Sequence, residues 1–324
     1  MTERPRGGGN GSRPLRLLSV VAPVYNEEAT IEEFYARVCE ALEGLPFELV
    51  LVDDGSTDGS TASLDQLAQH DPRVRLVYLS RNFGHQTALT AGLDHARGDA
   101  VVMLDADLQD PPELISTMLD HWRSGCDVVY AVRQRREGES RFKLATARWF
   151  YRLFDKLAQV ELQHNSGDFR LLDRRALDAL LSMRERNRFL RGMTVWVGYT
   201  QAAVPYHRDP RFAGETKFGV RRMLGFALDG ISSFSDKPLR VASHLGMLVT
   251  LGSLLLMLWL IGAKLIEPQR SITGWTSVMV AVLFLGGVQL LSIGLLGEYV
   301  GRIFRQTKGR PLYVVSRRVN FDAG

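Results

Sequence analysis

Two long segments near the C-terminus contain no Asp, Glu, Lys or Arg, and they constrain the fold more than any other feature. Residues 241–263 form a charge-free run of 23 residues, and residues 271–297 form another of 27. A helix needs about 20 mainly apolar residues to cross a bilayer. We therefore predict transmembrane helices at 241–266 and 274–299, joined as a tight hairpin.

The charges around this hairpin predict its orientation. Cytoplasmic loops of membrane proteins carry an excess of Lys and Arg. Lys237 and Arg240 precede the first helix. Four basic residues follow the second one, namely Arg302, Arg305, Lys308 and Arg310. Because a hairpin returns to the side on which it starts, we expect a cytoplasmic N-terminal domain and a basic cytoplasmic tail at 300–324. The alternative is a pair of buried core helices in a soluble protein.

Charge is unevenly distributed along the chain, although the formal net charge is only +4. Residues 26–127 hold 20 acidic residues and 6 Arg, a net charge of −14, so the remainder carries +18. This acidic region argues against a nucleic-acid partner and suits a divalent cation. Basic segments beside membrane helices suit an anionic lipid bilayer, although a solvated face is the ordinary explanation for diffuse charge. The two cysteines form neither a disulfide framework nor a metal cluster.

The rest of the chain divides into three parts. Residues 1–15 are rich in Gly and Arg, which predicts a disordered N-terminus. Residues 219–240 place Arg among Leu, Phe and Ile at near-helical spacing, which predicts an interfacial helix leading into the membrane. The remaining segment, 16–218, is long enough for one large domain with a sizeable core.

This large segment alternates short apolar runs with amphipathic ones. The apolar runs predict strands at 17–21, 47–52, 74–79, 100–104 and 127–132. The amphipathic runs between them predict helices at 27–43, 57–70, 85–97 and 112–124. Such alternation predicts an α/β fold with a mainly parallel sheet covered on both faces. Ligands of these sheets bind beyond the carboxyl ends of the strands.

Carboxylates cluster at two of those strand ends. Asp53 and Asp54 follow the second strand, and Asp105 and Asp107 follow the fourth. Together with Gln109, the second pair offers oxygen ligands to a hard cation such as Mg²⁺ or Mn²⁺. A lone DxD is weak evidence, because Asp is common at strand ends. The sequence contains no GxxxxGK[ST] and no dinucleotide fingerprint, so it does not hold phosphates in a glycine-rich loop.

Six motifs and the hairpin together form a specific pattern. The motifs are APVYNEE (22–28), VDDGSTDGS (52–60), RNFGHQTALTAGLDHARGD (81–99), LDADLQDPPE (104–113), SGDFRLLDR (166–174) and RFAGETKF (211–218). With a hairpin that ends in LLGEYVGRIF (295–304), they resemble the family 2 glycosyltransferases over about residues 17–315. The resemblance is closest to the polyprenyl-phosphate type, such as bacterial undecaprenyl-phosphate glucosyltransferases and dolichyl-phosphate mannose synthases. It implies a Rossmann-like GT-A domain at 16–218.

The resemblance also implies a reaction. One sugar passes from a nucleotide diphosphate sugar to the phosphate of a polyprenyl phosphate, with inversion at the anomeric carbon. The expected place is the cytoplasmic face of a bacterial inner membrane, and the expected cofactor is Mg²⁺ or Mn²⁺. The overall pattern favours glucose, a UDP-sugar donor and undecaprenyl phosphate. GlcNAc, mannose or an aminoarabinose derivative also fits the residues.

Donor-site residues carry over from the resembling motifs. The first nucleotide-contacting loop is matched by Pro23, Tyr25 and Glu27. The acidic pair near the base and ribose is matched by Asp53 and Asp54. The metal and diphosphate motif is matched by Asp105, Asp107 and Gln109, and Asp107 is thereby assigned to catalysis as well. The loop that closes over the diphosphate is matched by Arg208, Arg211 and Lys217, of which Lys217 is a catalytic charge clamp.

Acceptor-site residues carry over in the same way. Asp168 matches the acidic residue that lies near the acceptor, and Arg133 matches a site for the lipid phosphate. A second ligand of this phosphate comes from a basic segment in which several side chains are plausible, namely Arg141, Lys143, Thr146 and Arg148. A phosphate monoester is mostly dianionic at neutral pH. We therefore expect Asp168 to orient the acceptor or hold a basic residue more than to remove a proton.

Several of these residues have an ordinary structural explanation. Tyr25 suits an apolar core, and Asp53 suits the end of a strand that caps the turn at Gly55. The SGDF motif around Asp168 suits the start of a helix. His85 has no metal-ligand spacing, so we interpret it as a structural or polar contact.

Other classes of protein share parts of the pattern. A processive polysaccharide synthase normally has more helices and a QxxRW motif, both absent here. A membrane-anchored nucleotide-sugar sensor without turnover would lose the metal carboxylates, yet both are present. A soluble transferase with a peripheral helix is a third alternative. Gly286, Gly287, Gly294 and Gly297 of the second helix suit packing within the hairpin or within a homo-oligomer.

Overall fold

A computed structural model describes residues 13–133, 166–206, 237–266 and 274–321, which belong to two compact units. The first unit contains the described residues up to 206 together with 310–321, and the second contains those from 237 to 309. Several predictions lie outside the described residues: the disordered terminus up to 12, the interfacial helix up to 236, and the proposed ligands Arg141, Lys143, Thr146, Arg148, Arg208, Arg211 and Lys217.

The first unit alternates strands and helices, as predicted. Its elements are β1 (Leu18–Val24), α1 (Ile31–Ala41), β2 (Phe47–Asp53), α2 (Ser60–His70), β3 (Val74–Leu79), α3 (His85–His95), β4 (Ala100–Met103), α4 (Leu114–Arg123), β5 (Val128–Arg133), β6 (Ser166–Asp173), α5 (Arg174–Ser182), α6 (Leu190–Trp196), β7 (Gln201–Tyr206) and, after the helices of the second unit, β8 (Val315–Val319). All five predicted strands are present, with ends that differ by at most three residues.

The strands form one mixed sheet in the order β7-β5-β6-β4-β1-β2-β3-β8. β1 is parallel to β2 and β4, β2 is parallel to β3, and β5 is parallel to β7. β6 runs antiparallel to β4 and β5, and β8 runs antiparallel to β3. Every residue of β1, β2 and β3 is buried, because helices cover both faces of the sheet. The predicted α/β fold with a mainly parallel sheet is therefore confirmed.

Strand β6 replaces the helix start that the SGDF motif suggested as an alternative. Helix α5 begins only at Arg174, where the Asp173 carboxylate accepts a hydrogen bond from the Arg175 backbone N–H. The strand was not predicted because two of its inward positions are charged: Asp168 and Arg170 are both buried. A buried charge requires partners from elsewhere in the chain, and these are not visible in the local pattern.

The C-terminal residues after 310 belong to the first unit. β8 adds an edge strand to β3, and Arg317 forms a salt bridge with Asp65 at 2.7 Å. The guanidinium of Arg75 lies over the Phe321 ring at 3.9 Å. Only a basic tail is predicted here from the sequence, because VSRRV lacks the apolar alternation of an independent strand and is held by pairing with β3.

Asn320 secures this strand, and its loss is expected to destabilise the first unit. Its Nδ2 donates hydrogen bonds to the carbonyls of Ala68 and Val74, each at 2.8 Å, and its backbone has φ +60°. Asn320→Ala removes both bonds and places a less tolerant residue in the left-handed region. We expect a loss of about 1 kcal/mol, measured as a lower thermal midpoint in detergent. Arg318→Ala, on the exposed side of the same strand, is the control, and equal midpoints for the two variants would contradict this role.

The described part of the second unit contains two long helices, α7 (Lys237–Ile266) and α8 (Trp275–Thr307), which contact each other. They include both predicted apolar segments. Large apolar side chains point to the exterior, including Leu254, Leu255, Trp259, Leu290 and Ile293. Within the described residues, Phe284–Thr307 is the one stretch long and apolar enough to cross a membrane, and Gly246–Leu256 is a shorter apolar stretch. Such exposure does not fit the buried core helices of the soluble alternative.

Candidate active site

The candidate site lies at the edge of the sheet where the parallel strands end. The antiparallel direction of β6 brings its first residues to this same edge. Met103 pairs with Arg170, so extending this register by two residues places Asp105 opposite Asp168. Arg133 ends β5 and Tyr206 ends β7 at the same edge. The topology thus assembles side chains that are far apart in the sequence.

Asp168 is the most heavily bonded side chain of the site. Its exposed fraction is 5%. Arg191 donates from Nε to Oδ1 at 2.7 Å and from Nη2 to Oδ2 at 3.2 Å. Gln86 Nε2 donates to Oδ2 at 3.0 Å, and His85 Nε2 lies 3.3 Å from the same oxygen. Burial alone would raise the pKa of Asp168, but Arg191 and His85 outweigh it and hold this pKa well below its usual range.

His85 links Asp168 to the DxD motif. Its Nε2 lies 3.4 Å from Asp105 Oδ1 as well as near Asp168. Burial opposes protonation of the imidazole, yet the hydrogen bond to Asp168 and the nearby carboxylates raise the pKa of His85 to about 8. Burial, with the surrounding carboxylates, raises the pKa of Asp105 to about 6. His85 is therefore a polar contact, as interpreted, and it lies inside the site.

The DxD residues occupy the loop after β4. Asp107 Oδ1 accepts a hydrogen bond from the Gln109 backbone N–H at 3.1 Å. Leu108 between them has φ +60°, a conformation that is unfavourable for a branched side chain and frequent at functional sites. Gln109 itself is buried. The loop is held in one shape by its own contacts.

A divalent cation fits this loop only with help from a substrate. Asp105 Oδ1 is buried and accepts no hydrogen bond from the described residues. The same residues contain no group of three or more His, Cys, Asp or Glu side chains arranged to hold a metal. Mg²⁺ commonly binds through one or two carboxylates plus substrate phosphates. An oxygen left without a donor, beside a second carboxylate, has the chemistry of such a partial site.

Asp53 and Asp54 are both buried and bonded to neighbouring loops. Asp53 accepts from the Ser56 backbone N–H at 2.8 Å and from Thr61 Oγ1 at 2.9 Å, so it caps the turn after β2. The two oxygens of Asp54 accept from the backbone N–H groups of Phe83 and Gly84, at 2.7 and 2.9 Å. The structural explanation given for Asp53 therefore holds, and Asp54 fixes the entry to α3.

Gly55 permits this arrangement because its neighbours are very close. It has φ +73°, and a Cβ at this position would lie 2.7 Å from the backbone carbon of Arg81. Only glycine fits both the left-handed conformation and the close approach. The loop after β2 and the loop before α3 are therefore in close contact at the edge of the sheet where the parallel strands end.

The first loop after β1 presents one aromatic side chain to solvent. Tyr25 is 46% exposed, so its core alternative is wrong. Asn26 Oδ1 accepts from the Thr57 backbone N–H at 2.8 Å, and the Glu27 backbone N–H donates to Ser60 Oγ at 2.9 Å. Pro23 is buried within β1. These bonds join the first loop to the one after β2 and leave the Tyr25 ring available to a ligand.

Arg133 is held on the other side of Asp168. Its Nε donates to Tyr206 Oη at 3.0 Å, and its Nη2 lies 3.8 Å from Asp110 Oδ1. Tyr206 in turn donates to the buried Asp110. A Cβ at Gly167 would lie 3.0 Å from Arg133 Nη2, so the guanidinium packs against the backbone beside Asp168. Arg133 therefore lies close to the residue that precedes Asp168 on β6, and the acceptor role of the two residues stays a prediction.

Four residues of the site were not predicted: Gln86, Asp110, Arg191 and Tyr206. Gln86 and Asp110 lie inside quoted motifs, so their position at the carboxyl edge was a usable signal. Arg191 is on a short helix 23 residues after Asp168, and nothing in the local sequence joins the two. Tyr206 ends a strand that was not predicted.

Comparison with known proteins gives two family matches and many relatives. Residues 19–181 match Glycosyl transferase family 2, and residues 237–303 match the GtrB C-terminal hairpin. The chain is 47% identical to the uncharacterized glycosyltransferase YkcC of Bacillus subtilis (strain 168), over 94% of each protein. It is 43% identical to the bactoprenol glucosyl transferase of Shigella phage SfX, over 93% of this chain and 99% of the relative. Both matches agree with the predicted GT-A domain and hairpin.

Among solved structures, a mannosyltransferase from Pyrobaculum calidifontis in complex with GDP-Man and Mn²⁺ has a TM-score of 0.45 and 19% identity. The match covers 87% of this chain and 90% of that one. A likeness of this degree does not bear on substrate or metal.

Proposed function

The chain belongs to glycosyl transferase family 2, and from this premise we propose that it transfers one glucose from UDP-glucose to the phosphate of undecaprenyl phosphate, with inversion. One observation carries the proposal. The similarity to bactoprenol glucosyl transferases extends over 93% of the chain. It therefore includes both the first unit, which contains the candidate site and is called the catalytic unit below, and the two long helices. An acceptor that is anchored in lipid suits a catalytic domain that is anchored beside it.

The donor side of the proposal uses the loops after β1, β2 and β4. The exposed Tyr25 and the neighbouring Glu27 contact the nucleotide, on a loop held by Asn26. Asp53 and Asp54 shape the base and ribose region through the loops that they fix. Asp105 and Asp107, with Gln109, would hold Mg²⁺ or Mn²⁺ together with the donor diphosphate. When bound, the cation would supply Lewis-acid stabilisation of the charge that develops on the leaving diphosphate.

The acceptor side uses Arg133 and the residues around Asp168. Arg133 attracts the lipid phosphate, because a guanidinium suits phosphate oxygens and is always charged. The phosphate is mostly dianionic at neutral pH, so it attacks the anomeric carbon without losing a proton. Asp168 carries out no proton transfer in this proposal. It holds Arg191 and His85 in fixed positions between the donor and acceptor sides.

The two long helices place this chemistry at a membrane. We propose that they form the hairpin of an integral inner-membrane protein, with the catalytic unit and the C-terminal residues on the cytoplasmic side. The exposed apolar side chains of α7 and α8 and the basic residues after α8 support this placement. The helices keep the acceptor phosphate and the catalytic unit at one interface.

Sugar transfer by the full-length protein in detergent micelles tests the proposal. The reaction contains undecaprenyl phosphate, Mg²⁺ or Mn²⁺, and a panel of UDP- and GDP-sugars, and the product is detected as glycolipid. We expect glycolipid from UDP-glucose and none when a chelator is present. Product from another sugar would overturn the donor assignment. Donor binding without turnover of any sugar would overturn the enzyme proposal and favour the sensor.

Arg133→Ala is expected to weaken use of the lipid acceptor selectively. The loss of a charged hydrogen-bonding group from a phosphate site costs about 1.5–3 kcal/mol, so we expect the KM for undecaprenyl phosphate to rise about tenfold or more. The KM for the nucleotide sugar should change less than about twofold on the same argument. Arg123→Ala, on the surface of α4, is the matched control. Equal effects on both substrates would contradict an acceptor role.

A further inference from the structure

A single amide side chain connects three elements beside Asp168. Gln86 lies in the first turn of α3, and its Nε2 donates to Asp168 Oδ2 on β6 at 3.0 Å. Its Oε1 accepts from the backbone N–H of Leu190, the first residue of α6, at 3.1 Å. The two bonds use the two ends of the amide, and so they fix its orientation.

This contact completes the beginning of α6. The first backbone N–H groups of a helix have no partner within the helix. Phe189, which precedes α6, has no polar side chain to serve as a cap. Gln86 caps the helix from another part of the chain instead. Arg191 follows Leu190 directly, so this cap also sets the position of the guanidinium that binds both oxygens of Asp168.

We propose that Gln86 is a positioning residue for the transfer reaction. It holds Asp168 and Arg191 together in the geometry that the reaction requires. The proposal rests on the proposed function, because it assigns a role within the same site. Gln86 touches neither substrate. It acts by holding the carboxylate from one side and the start of the Arg191 helix from the other.

The amide is the one functional group that suits both contacts. A carboxylate at this position could accept from Leu190, but its second oxygen would face Asp168 with a like charge. An apolar side chain of similar length would remove both bonds, and the Leu190 N–H would lose its acceptor. Substitutions can therefore separate the loss of bonding from a change in charge.

Three variants test the proposal in full-length protein. Gln86→Met keeps the length and removes both bonds, and Gln86→Glu keeps the acceptor and removes the donor. Gln69→Met, on the exposed surface of α2, is the matched control. We expect Gln86→Met to lower kcat by about 10- to 100-fold, as partners that orient functional groups typically do. The KM for UDP-glucose should stay within about twofold, because Gln86 touches no part of the donor.

The Gln86→Glu variant supplies a readout that a structural role alone would not move. A protonated carboxyl can donate to Asp168 as the amide does, whereas the ionised form repels it. The ratio of variant to wild-type kcat should therefore rise as the pH falls from about 8.5 to about 6. Burial and the adjacent Asp168 raise the pKa of a carboxyl at this position, against the opposing charges of Arg191 and His85. A ratio that does not change with pH would overturn the proposal.

Two further results would also overturn it. One is a Gln86→Met enzyme with kcat equal to that of the Gln69→Met control. The other is a loss of kcat in Gln86→Met that only matches a lower folded fraction, determined from thermal unfolding of each variant. Failure of the proposed function is distinct from both, because the wild-type enzyme would then form no glycolipid.

Discussion

Asp105→Asn is expected to lower glycolipid formation by about a thousandfold, the equivalent of about 4 kcal/mol of transition-state stabilisation. Asp105 Oδ1 is buried, accepts no hydrogen bond from the described residues, and lies 3.4 Å from His85 Nε2. A neutral amide of the same shape cannot balance the charge of a divalent cation, and its nitrogen cannot serve as a metal ligand. The diphosphate leaving group then loses its main source of charge stabilisation.

Two measurements separate this effect from unfolding. Calorimetry of UDP-glucose binding in the presence of Mn²⁺ should show weaker, less metal-dependent binding for Asp105→Asn, independently of turnover. Asp120→Asn, an exposed carboxylate on α4, is the matched control and should behave as wild type. An Asp105→Asn enzyme within tenfold of wild type, and still inhibited by a chelator, would place the metal elsewhere.

The parallel part of the fold could be read from the sequence, because each strand there carries its own local signal. β1 to β5 are mainly apolar runs, and burial on both faces makes such runs continuous. The position of Asp105 and Asp107 at the ligand-binding edge could be predicted from these strands, because the carboxyl ends of parallel strands share one edge. The DxD loop was thus placed correctly without knowledge of the sheet order.

β6 and β8 could not be predicted because their stability comes from distant partners. β6 buries Asp168 and Arg170, which is tolerated only because Arg191 and Thr194, more than 20 residues away, bind them. β8 is short and basic, and it forms because β3 offers an open edge. Local patterning reports burial of apolar residues, and it carries no information about charges that are neutralised from another element.

The same limit applies to the site. His85 and Gln86 begin a helix at the carboxyl edge, which is visible in the sequence, yet the roles of the two residues depend on where β6 lies. The antiparallel insertion of β6 between β4 and β5 brings Asp168 opposite Asp105, with His85 3.3 Å from the former. That register is a property of the whole sheet. The sequence motifs identify the side chains of the site, whereas the distances between them depend on the order of the strands in the sheet.

Asp168→Asn is expected to lower kcat by about a thousandfold, within the range observed when a charged group that organises a transition state is removed. The reason is loss of organisation, because Asp168 is surrounded by donors from Arg191, Gln86 and His85. Replacing the carboxylate removes the counter-charge of the partly buried Arg191 guanidinium. Arg191 and His85 then lose their fixed positions.

The pH dependence of this variant distinguishes organisation from proton removal. Burial favours the neutral acid, but Arg191 and His85 hold the pKa of Asp168 well below its usual range. The carboxylate therefore stays ionised at neutral pH, and it is a poor proton acceptor. We expect no recovery of Asp168→Asn at high pH. Activity that returned as the acceptor phosphate lost its last proton would show that Asp168 is a general base.

Combining this variant with Arg191→Ala tests whether the two residues act as one group. If Asp168 acts by holding Arg191, the two substitutions remove the same interaction, and the double variant should be about as slow as the slower single one. Independent roles would instead multiply the two losses. Asp178→Asn, an exposed carboxylate on α5, controls for the loss of one negative charge. Multiplying losses would mean that Asp168 acts on the substrate directly, with Arg191 serving a separate purpose.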